Sequence, residues 1–434
     1  MNKSLYIVAF SLAFATTGIA QNNEGQDKTV DLGTQTTTEL RKTQAVSTIY
    51  SDELDKNATT SPYNAIYGLL PGLTVMQNTS WGTDKSRLNV RGRGSLNGDT
   101  PLFVVDGFAR PIEYINLSEI ESISVLKDGA ATALWGGRGA NGVVLITTKR
   151  GMYSKKEIKV DYKFGLGLPV NQPEFADAYT YAKARNEALR YDGLQPDMDE
   201  ASFLAGGNSD LYPNVDWQKE ALRNHTTSHQ LDITFRGGGK RLRYFSVLNY
   251  KNDMGLLNSK YTDYTDRYNS QMKKYFLNLR MNLDVDITDA TKLKLNMLGM
   301  LRETKRPTTS EATLFEQIFN TPSAAFPVQT QNGLWGSNNV LKTNPIANLA
   351  DVGYYKLNQR MLQADLRLIQ DLSVLTRGLS AELAIAYDNN ATYQETAKKS
   401  FMYQTIEKGT DGEPVYTNYG NPNDELEISN KGLD

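Results

Sequence analysis

Apolar and polar positions alternate strictly over long stretches of this 434-residue chain. Ile158, Val160, Tyr162, Phe164 and Leu166 are separated by Lys159, Asp161, Lys163 and Gly165, one apolar and one polar face at a period of two. The rhythm returns in Leu231, Ile233 and Phe235, then in Leu242, Tyr244, Leu248 and Tyr250. It is clearest where Leu277, Leu279, Met281, Leu283, Val285 and Ile287 alternate with Asn278, Arg280, Asn282, Asp284 and Asp286. Leu293, Leu295, Met297 and Leu301 carry it past a tight connection at residues 289–291. Two more passes follow, from Leu362 to Leu368 and through Ala381, Leu383, Ile385 and Tyr387. None of these apolar faces carries a charge. The pattern predicts about seven strands, several of the length of about 9–11 residues that a tilted strand needs to cross a bilayer. Short connections near residues 237–240, 288–291 and 371–378 alternate with long ones, as in an outer-membrane barrel. A secreted soluble sandwich is the competing reading.

Ahead of these strands the texture differs. From residue 45 to 151, short apolar runs such as Leu102–Val105 and Val143–Thr148 sit between dense turn signals, which predicts a small α+β domain. Ser118 with Glu121 is expected to cap a helical turn that feeds a strand over Ile123–Leu126. Residues 21–44 are rich in Thr, Gln, Asn and charge with hardly an aliphatic residue, and read as a flexible tether. Residues 1–20 have the build of a cleaved secretory signal: Lys3, an apolar run from Leu5 to Ala15, then Gly18-Ile19-Ala20 before Gln21. That run is too short to span a membrane as a helix.

Composition narrows the chemistry. With 47 basic and 49 acidic residues the chain lacks the basic excess that draws proteins to nucleic acid. No cysteine is present, so disulfides, thiolate metal sites and cysteine nucleophiles drop out together. His225 and His229 are four apart, too far along a strand to chelate one ion readily. Gly137 to Gly142 spells the letters of a dinucleotide loop, but a helix-friendly stretch precedes it and a strand follows, the reverse of what phosphate binding at a helix N-terminus requires. The carboxylates Asp197, Asp199 and Glu200 read as solvated charge in a polar loop. No catalytic constellation and no cofactor site emerges, so the chain is not read as an enzyme. In the long loops, residues 174–191 have helical spacing. Tyr212, Trp217, Phe315, Phe319 and Trp335 could either stack on cargo or pack the loops.

The stretch from Val104 to Gly151, VVDGFARPIEYINLSEIESISVLKDGAATALWGGRGANGVVLITTKRG, strongly resembles the plug-domain signature of the SusC/RagA family of TonB-linked outer-membrane transporters. Ala65–Val75, the VRGRGS of Val90–Ser95 and the YPNVDW of Tyr212–Trp217 support the resemblance. Its signature residues here are Arg91, Gly92, Asp106, Gly107, Asp128, Gly129, Gly136, Arg138, Gly139, Asn141 and Gly142. The resemblance implies a plug inside a barrel of about 22 strands in the outer membrane of a Bacteroidota-type bacterium. It also implies import of oligosaccharides or peptides, a SusD/RagB-like surface lipoprotein as lid, and energy from TonB, ExbB and ExbD. The periplasmic partner would pair with an extended segment near the N-terminus. Thr29-Val30-Asp31-Leu32 is the candidate TonB box.

The expected fold is therefore an α+β plug domain over 45–151, followed over 157–434 by the first strands of a transmembrane antiparallel β-barrel. About seven strands are fewer than the minimum of about eight for a closed barrel, so the chain reads as the N-terminal portion of a longer transporter. A TonB-linked signalling receptor and a secreted glycan-binding protein are the alternatives.

Overall fold

The computed structural model describes residues 5–7, 11–14, 29–32, 36–38, 41, 43–54, 56, 59, 61–77, 86–95, 98–153, 156–169, 172–422 and 425–433. The expected signal cleavage site at residues 18–21 and most of the expected tether lie outside them. Near the N-terminus, short backbone strands run over Leu5–Ile7 (β1) and Ser11–Phe14 (β2), and a two-stranded ladder joins Thr29–Asp31 (β3) to Thr36–Thr38 (β4).

The first domain follows. Val46–Tyr50 (β5) leads through the short helices Ser51–Leu54 (α1) and Pro62–Ala65 (α2) into the ladder of Leu73–Met76 (β6) with Arg87–Val90 (β7). Leu102–Val105 (β8), Phe108–Ala109 (β9), Ile120–Leu126 (β10), the helical turn Gly129–Thr132 (α3) and Val143–Thr148 (β11) complete it. The sheet order is β5-β10-β11-β8-β9, with β11 parallel to β8 and the other pairs antiparallel. Its runs of consecutive apolar residues are explained by burial on both faces: Ile49, Ile123, Val144 and Ile146 pack with Leu54, Ile66, Leu88 and Ile112 on one, and Val46, Val104, Leu126, Val143 and Leu145 pack together on the other. The turn feeding β10 is a 3₁₀ turn at Leu117–Glu119 capped by Asn116, with Glu119 closing the capping box, not by Ser118 and Glu121. Asn116 stands one position ahead of the turn, where its carboxamide can accept from the backbone N–H of Ser118 at 3.2 Å.

The seven alternating segments form one antiparallel sheet: Glu157–Gly167 (β12), Thr226–Gly238 (β13), Leu242–Met254 (β14), Lys273–Asp286 (β15), Thr291–Pro307 (β16), Gly353–Asp371 (β18) and Leu379–Lys398 (β19). Consecutive strands pair in register over almost their whole length. The outward apolar rows are exposed, Ile158, Leu279 and Leu362 among them, while the polar partners between them are buried, including Asn278, Arg280, Asn282 and Asp365. That inversion of the usual soluble pattern is what a strand with lipid on one face requires. The short connections are closed by side chains that bond their own backbone. Thr288 Oγ1 accepts from Thr291 N at 2.9 Å, and Asp371 Oδ1 from Ser373 N at 2.8 Å.

At the opposite end the long loops build a domain of their own. It contains α4 (Ala178–Tyr191), α5 (Glu200–Ala205), α6 (Trp217–Ala221), α7 (Ser259–Thr262), α8 (Glu311–Asn320) and α9 (Pro345–Ala350). A small sheet joins Trp335–Ser337 (β17), Met402–Lys408 (β20) and Pro414–Gly420 (β21). Trp217 and Trp335, each 3% exposed, are core residues here, packed with Leu314, Ile318, Phe326 and Leu349. Their indole N–H groups donate to Pro322 O and Asp351 Oδ2, both at 3.1 Å. Of the two readings of the loop aromatics, packing holds for these two.

The outer edge of β19 is met by β1, β2 and Glu427–Leu433 (β22), which bring the sheet to ten strands. Leu279→Arg, in the middle of the outward apolar band, is expected to cost about 2–4 kcal/mol. Denaturant titration of the protein in lipid vesicles checks this.

Candidate functional site

The residues picked out in the small domain mostly shape its turns. Arg91 and Gly92 take φ of 58° and 85° where the chain leaves β7, and the Arg91 N–H donates to Gly72 O at 2.8 Å. Asp106 and Gly107 form the β8–β9 turn, also with positive φ. The Asp106 carboxylate accepts from Thr148 N at 3.0 Å and Thr148 Oγ1 at 2.6 Å, tying the turn to the end of β11. Gly107 leaves room for the Arg367 guanidinium, which would stand 2.5 Å from a Cβ at that position. Asp128 caps α3, accepting from Ala131 N, and its other oxygen accepts from Ala45 N, both at 2.7 Å. These donors, that of Ala45 first, hold its carboxyl below the ordinary range.

Gly129 opens α3, and Gly136, Gly139 and Gly142 form the passage from it to β11. A side chain at Gly142, with φ 88°, would press within 2.8 Å of Val90 Cβ. Asn141 donates to Gly98 O at 3.1 Å, and Arg138 lines an open cleft of about 740 Å³ with Arg87, Asp99, Phe103 and Arg110. The helix-to-strand order around these glycines is the expected one.

The candidate box is placed against the domain. Val30 is fully buried and Leu32 nearly so, packed with Val46, Val104, Leu126, Val143 and Leu145. They are two of the three aliphatic residues in the polar stretch 21–44, with Leu40 the third, so burying them is a large part of the gain available to it.

The resemblance implied a plug inside a barrel; what sequence reasoning missed is which residues join the small domain to the inward face of the sheet. Arg110, 3% exposed, donates from Nη1 to Asp365 Oδ1 at 2.5 Å and from Nη2 to Asp388 Oδ1 at 2.8 Å. Glu119, fully buried, accepts from Arg280 Nε at 2.5 Å and from the Asn278 carboxamide. Asn116 donates to Asp232 at 3.2 Å, and Asn282 donates to Thr148 Oγ1 and Lys149 O at 2.8 Å each. Arg150 donates to Asn296 Oδ1 at 2.6 Å, and Arg302 and Arg367 donate to the backbone oxygens of Glu113 and Asp106. One apolar patch interrupts the polar contact, Tyr114 with Phe276, Leu298, Met300 and Met361. Burial pushes the Glu119 carboxyl up, against the opposing pull of the Arg280 guanidinium. A signal for half of this was present: the polar face of each strand is too charged to be idle if it faces inward. The partners in the small domain carried no such signal.

Residues 38–143 match the family model described as TonB-dependent Receptor Plug Domain. A TonB-dependent receptor of Formosa agariphila is 28% identical over 281 residues, covering 63% of this chain and 26% of that protein. The TonB-dependent receptor SusC of Bacteroides thetaiotaomicron is 30% identical over 255 residues, covering 55% and 24%. The structure of the RagAB peptide importer in the open-open state superposes with a TM-score of 0.68 at 20% identity, over 86% of this chain and 43% of that one. The chain carries a TonB-dependent receptor plug and is SusC/RagA-like.

The small domain is thus the plug, the sheet is barrel wall, and the protein belongs to the outer membrane. The chain spans about a quarter of the length of these curated relatives. The family consists of receptors and transporters.

Removing one partner of the deepest plug-to-wall pair exposes its worth. Arg280→Met leaves Glu119 buried and unpaired and is expected to cost about 3–5 kcal/mol, largely restored by adding Glu119→Gln. Because burial then raises the Glu119 pKa further, the folded state binds more protons than the unfolded one. The single variant should therefore recover stability as pH falls. Protease resistance of the plug against temperature, at neutral and mildly acid pH, measures both effects.

Proposed function

We propose that this chain serves the TonB-dependent uptake of oligosaccharide or peptide nutrients across the outer membrane, without enzymatic chemistry of its own. The observation that carries the reading is how the plug is held. One side is fastened to the wall by ion pairs and hydrogen bonds, and the other ends in a short edge strand joined to the N-terminal segment. β5 lies at the edge of the plug sheet and pairs only with β10 among the described residues. A pull applied at Thr29–Leu32 therefore reaches the Asp128–Ala45 tie and β5 before it reaches Arg110, Glu119 or Arg150. Peeling an edge strand breaks its bonds one after another, while sliding the clamped side breaks many buried pairs at once. The geometry thus favours opening part of the plug with the rest left seated.

The pulling partner in this reading is TonB, driven by ExbB and ExbD, adding a strand to Thr29–Leu32 through main-chain bonds. Val30 and Leu32 must leave their packing for that to occur, which makes the docked segment a guarded handle. A SusD/RagB-like lipoprotein is the partner for the loop side. Exposed apolar residues there support a lid: Phe175 is 50% exposed, Tyr191 91% and Val340 87%. RagAB is described as a peptide importer, and peptides are one of the two cargo classes in this reading.

Val30→Pro removes a backbone donor from the handle and cannot add to a strand there. In the source organism, uptake of the cargo is expected to fall to the level of a strain lacking TonB, with the amount of protein in the outer membrane unchanged. Transport measured with a panel of labelled glycans and peptides checks this. Unaltered uptake would remove Thr29–Leu32 as the coupling segment.

A further inference from the structure

The lipid-facing side of the wall has a notch. Register places Leu248, Leu279, Gly299, Leu362 and Asn389 in one outward row across β14, β15, β16, β18 and β19. Leu279 and Leu362 each stand 52% exposed, but between them Gly299 offers no side chain, and a Cβ built there meets nothing within 4 Å. A glycine inside a long strand weakens it, and is expected where something else comes close to the backbone. Leu277 and Leu301 flank the gap on the loop side, and the result is a groove of about 390 Å³ open to the outer surface.

The groove ends in polar side chains. Arg360 lies opposite Leu301 in the register, on the loop side of Gly299, and Asn389 lies opposite Leu362; both line the groove. Arg360 is exposed, its guanidinium 5.9 Å from the centre of the Tyr393 ring. Among the described residues no carboxylate lies within ion-pairing distance of it, and Glu303, one outward row higher, pairs with Lys356 at 3.0 Å. Below Arg360 the outward row on β18 is apolar, with Leu362, Leu366 and Leu368; above it stand Asn358 and Lys356. Arg360 thus marks the border of the apolar band on the side of the long loops, the level of outer-leaflet headgroups.

We propose that this groove seats one acyl chain of an outer-leaflet lipid whose anionic phosphate head is held by Arg360 and Asn389. The apolar notch supplies the chain site, and the uncompensated guanidinium at its upper end supplies the charge that selects the head. The inference does not depend on the cargo or on TonB coupling.

The full protein, purified from its outer membrane in detergent, is offered dioleoyl phosphatidylglycerol or dioleoyl phosphatidylcholine at equal concentration. Retained lipid is counted by native mass spectrometry. The anionic lipid is expected to be retained about fivefold over the zwitterionic one. Arg360→Gln should bring the two to near equality, and Gly299→Leu, which fills the notch, should lower retention of both. Inorganic phosphate should not displace either. Equal retention by the unaltered protein would mean unselective lipid contact and overturn the proposal, as would a preference that survives Arg360→Gln. Retention unaffected by Gly299→Leu would overturn the chain site, and displacement by inorganic phosphate would show a free-anion site instead. Mobility of unheated samples on a denaturing gel reports whether each variant keeps its barrel fold. Arg360→Gln, on the outer surface, decides the matter if the glycine variant does not.

Discussion

Polar side chains on the inward face of the wall cannot be left dry and unpartnered, and the plug is what meets them. Asp232, Asn278, Arg280, Asn282, Asn296 and Asp365 are all buried, and each bonds a plug residue or a neighbour that does. A wall with lipid on one face has nowhere else to put its polar positions. The alternation that lets the strands cross a membrane therefore dictates a polar seat, and a polar seat demands a polar occupant.

That kind of contact suits a part that must be held and then moved. A buried ion pair is costly to break by halves but contributes little more than a well-packed apolar pair would when whole. Among the described residues several groups in the seat have no hydrogen-bond partner, among them Arg280 Nη2 and the side-chain oxygens of Asn278 and Asn282. The interface fixes the position of the plug more sharply than it fixes its stability. The plug's own core of Ile49, Ile123, Val144 and their neighbours keeps it folded while seated.

The two faces of the wall divide the labour. Inward positions decide where the plug sits, and outward positions decide how the protein sits in the bilayer, with Gly299 and Arg360 breaking the uniformity of the outer face. Above both, the loops carry a separate apolar core around Trp217, Phe326 and Trp335, so the extramembrane end is a built structure with its own surface.

The sequence by itself determined the strands, because a period of two over ten or so residues has one physical reading, and it located the connections through their turn residues. It also marked the plug, whose tight turns need Gly107 and Gly142, both at positive φ and each with a neighbouring side chain too close to admit a Cβ. The tertiary structure alone decided who meets whom. Arg110 finds Asp388 across 278 positions, and nothing local in either residue announces it. The same holds for Glu119, which takes up its capping role and its ion pair with Arg280 only once Asn116 and the wall are in place. Whether Trp217 stacks on cargo or fills a core was settled by distant loops coming together. Periodicity is a property of neighbours along the chain, and burial of a charge is a property of neighbours in space.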